Sequence, residues 1–214
     1  MFFSIEPHDL DFPSREFIAV CSSSRNGAVW KVSKEPIDGS VPIGSVPYCE
    51  KLLKERQINV DFFPSFLSPH LNRNISNFSV HFSPYTLRER FFLKDRSGWK
   101  TDFVSRVYEV GEVIPVGEYI KSEIVKFENE WRYYILEGEV ISTGWYMGED
   151  EEEPAPDLDF KIPAWYNGSI DMGRVGKTLS VVESHAPYAC GWYGDKHFDY
   201  VFWQYNAWRN YVGH

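Results

Sequence analysis

The chain has 214 residues, with 22 Lys and Arg against 31 Asp and Glu and a formal net charge of −9. Such a deficit of positive charge excludes a nucleic-acid backbone as the main partner, because neutralising many phosphates needs a basic face; it leaves enough cations for one local anion site. Hydrophobic residues make up 43% and aromatics 17%, with 8 Trp, which supplies the core of one large domain or of two small lobes sharing a cleft.

The first eleven residues carry acids where a signal peptide needs an apolar run, and no stretch approaches the roughly 20 apolar residues of a membrane helix. The expectation is a soluble cytoplasmic protein, of a cell or of a virus in its host, with no membrane partner. Residues 16–21 (Glu-Phe-Ile-Ala-Val-Cys) read as a strand, and residues 22–27 as a turn cluster. Ser45 opens a helix running to Arg56, with Pro47 in its first turn and Tyr48, Leu52 and Leu53 as its apolar stripe. Prolines and polar residues follow to Asn77, so residues 1–80 read as a small α/β lobe. Strand patterns then prevail at 80–82, 91–93, 103–110 and 119–127, and a hairpin joins 133–136 to 140–146 through Glu137 and Gly138. Five acids at 149–153, followed by prolines, predict a solvated loop. A second hairpin turns at Gly176, and residues 195–209 predict a packing helix with Phe198, Val201, Phe202, Tyr205 and Trp208 on its buried face. Cys21, Cys49 and Cys190 are odd in number and lack metal-ligand spacing, so they read as reduced intracellular thiols.

The chemistry concentrates in the strand-rich part. Asp171 and Glu183 lie twelve residues apart on the two arms of the second hairpin, where their carboxylates can face each other as hard oxygen ligands for Mg²⁺. Upstream, Lys94 ends the apolar run 90–95 and Lys100 sits in the polar loop 96–101; both can reach phosphate oxygens as mobile point charges. Glu123 and Glu130 are seven residues apart, Arg132 follows, and His185 stands two residues after Glu183. Other readings fail on chemistry. Residues 173–178 imitate the end of a phosphate-binding loop, but Asp171 stands where its first glycine belongs and a β-rich run follows. His185 and His197, with Asp195 and Asp199, lack the short ligand pair of a zinc site, and no Gly-x-Ser-x-Gly occurs.

The ordered set of two lysines, a glutamate, a glutamate-x-arginine, an aspartate and a glutamate resembles the ATP-grasp superfamily, and within it the divergent clade distinguished by one arginine and two lysines. The likeness runs from about residue 80 to 195 and more loosely over 40–80. It implies an α+β ATP-grasp fold in which two lobes clasp the nucleotide between sheets, with residues 1–80 preceding a core of residues 81–214. Carried over by position, Lys94 is the phosphate lysine, the segment Glu123, Ile124 and Val125 pairs with adenine, and Glu130 holds the ribose. Asp171, Glu183 and His185 are the metal ligands, with Lys100 and Arg132 as catalytic charges. The implied cofactors are ATP and Mg²⁺. His185 stands where most members carry an asparagine, and an imidazole would favour Mn²⁺. The implied activity is ATP-dependent ligation of a carboxylate to an amine through an acylphosphate, with both substrates unidentified and a protein or peptide among the candidates. The alternative is an ATP-binding assembly chaperone without ligase activity.

Overall fold

The computed structural model describes residues 1–7, 13–58, 64–97, 99 and 101–213. The N-terminal part runs β1 (Phe2–Ile5), α1 (Arg15–Ser22), β2 (Val29–Val32), β3 (Val41–Ile43) and α2 (Val46–Glu55), with β1 the central strand of a parallel sheet of order β2-β1-β3. Helix α1 corrects the strand expected at 16–21. A short continuous apolar run fits a buried strand or a buried helix equally well, and here Ser14 decides it by accepting the Phe17 N–H at 3.1 Å while Ala19 and Val20 turn into the core. Helix α2 forms as expected: Ser45 Oγ caps the Tyr48 N–H, Pro47 sits in the first turn, and Tyr48, Leu52 and Leu53 are buried.

An antiparallel region follows, made of β4 (Ile75–Val80), β5 (Tyr85–Thr86), β6 (Phe91–Asp95), β7 (Arg106–Tyr108), β8 (Val113–Ile114) and β9 (Gly117–Ser122). Four of these strands form a sheet of order β4-β9-β6-β7, and β5 pairs with β8 in a separate ribbon. Period-2 alternation gives the sheet two apolar faces. Val80, Phe91, Leu93, Tyr108 and Tyr119 pack into one cluster, while Ile75, Phe92, Lys94, Val107 and Ile120 line a cavity on the other side. Strand β4 ends where the expected 80–82 strand was to begin. Strand β9 stops at Ser122 rather than Phe127, because Glu123 turns its carboxylate back onto the Asn74 backbone N–H at 3.0 Å and the Asn74 side chain at 2.6 Å.

The largest sheet joins β10 (Asn129–Leu136), β11 (Glu139–Gly148), β12 (Gly168–Val175) and β13 (Thr178–His185) in the order β11-β10-β12-β13, all antiparallel. Both expected hairpins are present, turning at Glu137 and Gly138 and at Gly176, all with positive φ. Trp131, Tyr133, Ile135, Ile170, Met172 and Val181 form a core on one face with Leu67, Ile162 and Tyr166. The intervening residues Glu130, Arg132 and Tyr134 therefore belong to the other face. The acidic loop is anchored as well as solvated: Glu153 accepts from the Asn129 amide and pairs with Arg174, and its carbonyl takes the Trp131 indole N–H at 3.1 Å.

Helix α3 (His197–Val212) closes the chain and buries Tyr200, Val201, Trp203, Gln204, Ala207 and Trp208. Of the expected face, Phe198 and Phe202 are instead 44% and 41% exposed. Aromatics surround this helix, so its own periodicity is ambiguous and its partner fixes the rotation. Trp203 donates to the Ile135 carbonyl at 2.9 Å, and Gln204 donates to the Pro187 carbonyl at 2.8 Å. The α3 aromatics, Tyr134 and Trp192 share one core with the N-terminal sheet and α2. Among the described residues no helix is long and apolar enough to cross a membrane.

Candidate functional site

Register builds the site. From the Gly176 turn the ladder counts Arg174 against Leu179, Gly173 against Ser180 and Met172 against Val181; then one residue of β13, Val182, is left over and Glu183 meets Asp171. Without this β-bulge Val182 would oppose Asp171 and Glu183 would point to the other face. Across the next ladder Asp171 faces Arg132. Arg132, Asp171 and Glu183 thus form one row across three strands.

Arg132 donates Nε to Asp171 Oδ1 and Nη2 to Asp171 Oδ2, each at 2.7 Å, a bidentate pair with side-chain exposures of 6% and 1%. His185 Nε2 lies 3.3 Å from Asp171 Oδ2 and 3.1 Å from Glu183 Oε1. Lys94 reaches over from β6 and ion-pairs with Glu183, so the cluster joins the two antiparallel sheets. Burial alone would push the His185 imidazole down, but Glu183 and Asp171 outweigh it and carry it up to about 10. Burial likewise works against ionised Glu183 and Asp171, yet His185 and Lys94 hold Glu183 low, and Arg132 and His185 hold Asp171 low. The rings of Tyr146 and Tyr193 cover the Arg132 guanidinium, with centroids 5.0 and 5.4 Å away.

Beside this cluster lies a cavity of about 250 Å³ between the two antiparallel sheets. Lys94, Glu123, Ile124, Val125, Glu130 and Glu183, all nominated from sequence, line it. Phe92, Ile120, Phe127 and Val182 give it apolar walls. Phe127 packs on β12 at Gly173, where a Cβ would collide with the ring, so only glycine admits the contact. Burial, with Asp171 and Glu183 next, pushes the Glu130 carboxyl up to about 7 against the pull of Arg73 and Arg132.

Arg73 ties the cavity together. Its Nε donates to Ser122 Oγ on β9 at 3.1 Å, Nη2 donates to the Val182 carbonyl at 2.6 Å, and Nη1 donates to the carbonyls of Val181 and Leu71. One guanidinium therefore clamps β9 of one sheet to β13 of the other.

The structure brings together Lys94, Glu123, Ile124, Val125, Glu130, Arg132, Asp171, Glu183 and His185; Lys100 lies outside the described residues. Sequence reasoning missed Arg73, whose irregular surroundings carry no periodicity, and Phe92 and Ile120, which strand alternation beside Lys94 would have found. Ligand atoms of Asp171, Glu183 and His185 all fall within 4.8 Å of one another. Two carboxylates and an imidazole at that spacing fit a divalent cation that accepts mixed oxygen and nitrogen donors. A family model described as an ATP-grasp domain, family 2 of the clade with one arginine and two lysines, matches residues 70–202. Comparison with curated proteins gives no match.

Proposed function

The chain belongs to the ATP-grasp domains, in family 2 of the clade with one arginine and two lysines, and from that premise we propose that it is an ATP-dependent ligase, activating a carboxylate by phosphorylation for capture by an amine. The observation that carries the reading is the apolar cavity between two antiparallel sheets, with Lys94 and Glu183 at one end and residues 123–125 and Glu130 along its wall. Adenine lies among Ile120, Val125 and Phe127, with the backbone of residues 123–125 along its edge. The ribose hydroxyls donate to Glu130, whose carboxylate gains partners that offset its burial. The triphosphate runs towards Lys94, which leaves Glu183 for a phosphate oxygen.

Asp171, Glu183 and His185 would hold the Mg²⁺ or Mn²⁺, which when bound supplies charge neutralisation on the phosphates. Arg132 occupies one side of the Asp171 carboxylate and fixes its direction. Lys94, Arg132 and Lys100 supply the fixed positive charge that phosphoryl transfer needs, since positioning and electrostatics do most of that chemistry. The division into residues 1–80 and a core of residues 81–214, and a cytoplasmic location, belong to the same proposal.

The test is nucleotide-induced stabilisation. ATP at a hundredfold excess over Kd stabilises a folded protein by about 2.7 kcal/mol, so the melting temperature should rise with ATP and divalent metal together and fall back with EDTA. A melting curve indifferent to ATP and metal would end this reading. Ligation itself is tested by phosphate release that requires both a carboxylate and an amine.

A further inference from the structure

We propose that the large cavity beyond Lys94 and His185 receives the amine substrate, and that this amine is a primary alkylammonium such as a lysine side chain or a free diamine. The inference rests on the ligase reading and deepens it. The cavity measures about 630 Å³ and lies between α2, the segment after β6 and the chain leaving β13. Lys94 lines both this cavity and the nucleotide cavity, and His185, which lines only this one of the two, stands 3.1 Å from Glu183 of the other. A group lodged here approaches the phosphate end from the side away from adenine, where the carbonyl carbon of an acylphosphate would stand.

The charge of the wall selects the class. Lys94 is engaged by Glu183, and the other charged lining residues among those described, apart from His185, are Glu50, Asp95 and Asp102. These carboxylates come from separate places: Glu50 from α2, Asp95 from the end of β6, Asp102 from the loop beyond. Lys54 already neutralises Glu50, so Asp95 and Asp102 are the carboxylates that would repel a second anion from the outer cavity and draw in an ammonium. Trp99, Phe103 and Tyr188 offer ring faces for an apolar stem.

The chain itself displays the recognition. Glu50 is 1% exposed, and its carboxylate holds the Lys54 ammonium at 3.2 Å. That same nitrogen stands 5.0 Å from the centroid of the Trp99 ring. An alkylammonium between a buried carboxylate and an indole face is therefore already accommodated at this wall. In the reaction the substrate ammonium gives one proton to solvent in the open cavity, and its nitrogen attacks the acylphosphate carbon. A C–N bond forms as the C–O bond to the phosphorus-bound oxygen breaks, and the phosphate leaves as hydrogen phosphate with the second proton shed by the nitrogen.

The test titrates protein loaded with Mg²⁺ and a non-hydrolysable ATP analogue, using Nα-acetyl-lysine methylamide, its norleucine counterpart, the glutamate counterpart and 1,5-diaminopentane. The ammonium probes should bind at least tenfold more tightly than norleucine, and glutamate should not bind. Asp102→Asn should weaken the lysine probe several-fold and leave norleucine unmoved; Glu50→Gln should do the same where it folds. Tighter binding of the diamine than of the lysine probe assigns a free amine, and the reverse assigns a lysine residue. Norleucine or glutamate binding as tightly as lysine overturns the proposal while leaving nucleotide binding, and so the ligase reading, intact. Failure of the ATP analogue to bind defeats the ligase reading, and the acceptor assignment with it.

Discussion

Replacing Asp171 by Asn keeps the volume and removes the charge that Arg132 and His185 share. Arg132 is 6% exposed and its two 2.7 Å bonds to Asp171 are its only carboxylate pairing among the interactions described, so the substitution leaves a guanidinium buried against a neutral amide. Breaking a buried pair in this way costs about 3–5 kcal/mol, because the orphaned charge keeps its desolvation penalty. Glu183 is 26% exposed and its partner Lys94 15%, so water reaches this pair more readily and Glu183→Gln should cost less than Asp171→Asn. Urea denaturation of the metal-free proteins measures both. The double variant Arg132→Met with Asp171→Leu should cost clearly less than the sum of its single substitutions, since an apolar pair leaves no orphaned charge. If Asp171→Asn costs less than about 1 kcal/mol, or the double variant is additive, the pair is not holding the sheet and the argument from burial is wrong.

Lys94→Ala should lower ATP affinity at least tenfold by calorimetry, because the proposed nucleotide cavity would lose its phosphate cation; unchanged affinity would remove Lys94 from the phosphate site. For Glu130 the folded carboxyl titrates at about 7 against 4.5 in the free residue, so the native state binds the extra proton and stability from this group is present below pH 4.5 and lost as pH rises through 7. Thermal melts of Glu130→Gln from about pH 5 to 8 should therefore slope less than wild type. Gly173→Ala pushes a methyl group into the Phe127 ring and should weaken ATP binding as well as costing the roughly 1–3 kcal/mol of overpacking, as a nucleotide titration beside a melting curve will show. His185→Asn exchanges a nitrogen donor for an amide oxygen and should shift metal-dependent ATP affinity towards Mg²⁺ over Mn²⁺, measured as the ratio of the two affinities.

The residues that carry charge were legible because strands impose simple arithmetic. A hairpin about Gly176 already brings Asp171 and Glu183 together, and seven residues from Glu123 to Glu130 bridge the end of one sheet and the start of the next. Local capping made α2 equally plain through Ser45 and Pro47. What stayed hidden depended on partners distant in the chain. Residues 16–21 are apolar enough for either regular structure, and only Ser14 and the packing of Ala19 and Val20 select the helix. The face of α3 is chosen by the Ile135 and Pro187 carbonyls, about seventy and seventeen residues away. Arg73 has neither a periodic neighbourhood nor a motif, and its role exists only once β9 and β13 stand side by side.

Successive carbonyls on a regular strand point to opposite sides, so a single side chain cannot ordinarily take two in a row. Val181 and Val182 break that rule where the ladder carries its surplus residue, and Arg73 takes both carbonyls. The surplus residue therefore does two things with one insertion: it lends Val182 to the cavity wall, and it gives the opposite sheet a handle. In evolutionary terms the cavity wall and the hold of one sheet on the other are inherited together. A chain that lost Val182 could still set Glu183 opposite Asp171, in an unbroken ladder, yet it would no longer offer Arg73 two adjacent acceptors, and the cleft would have to find its width by other means.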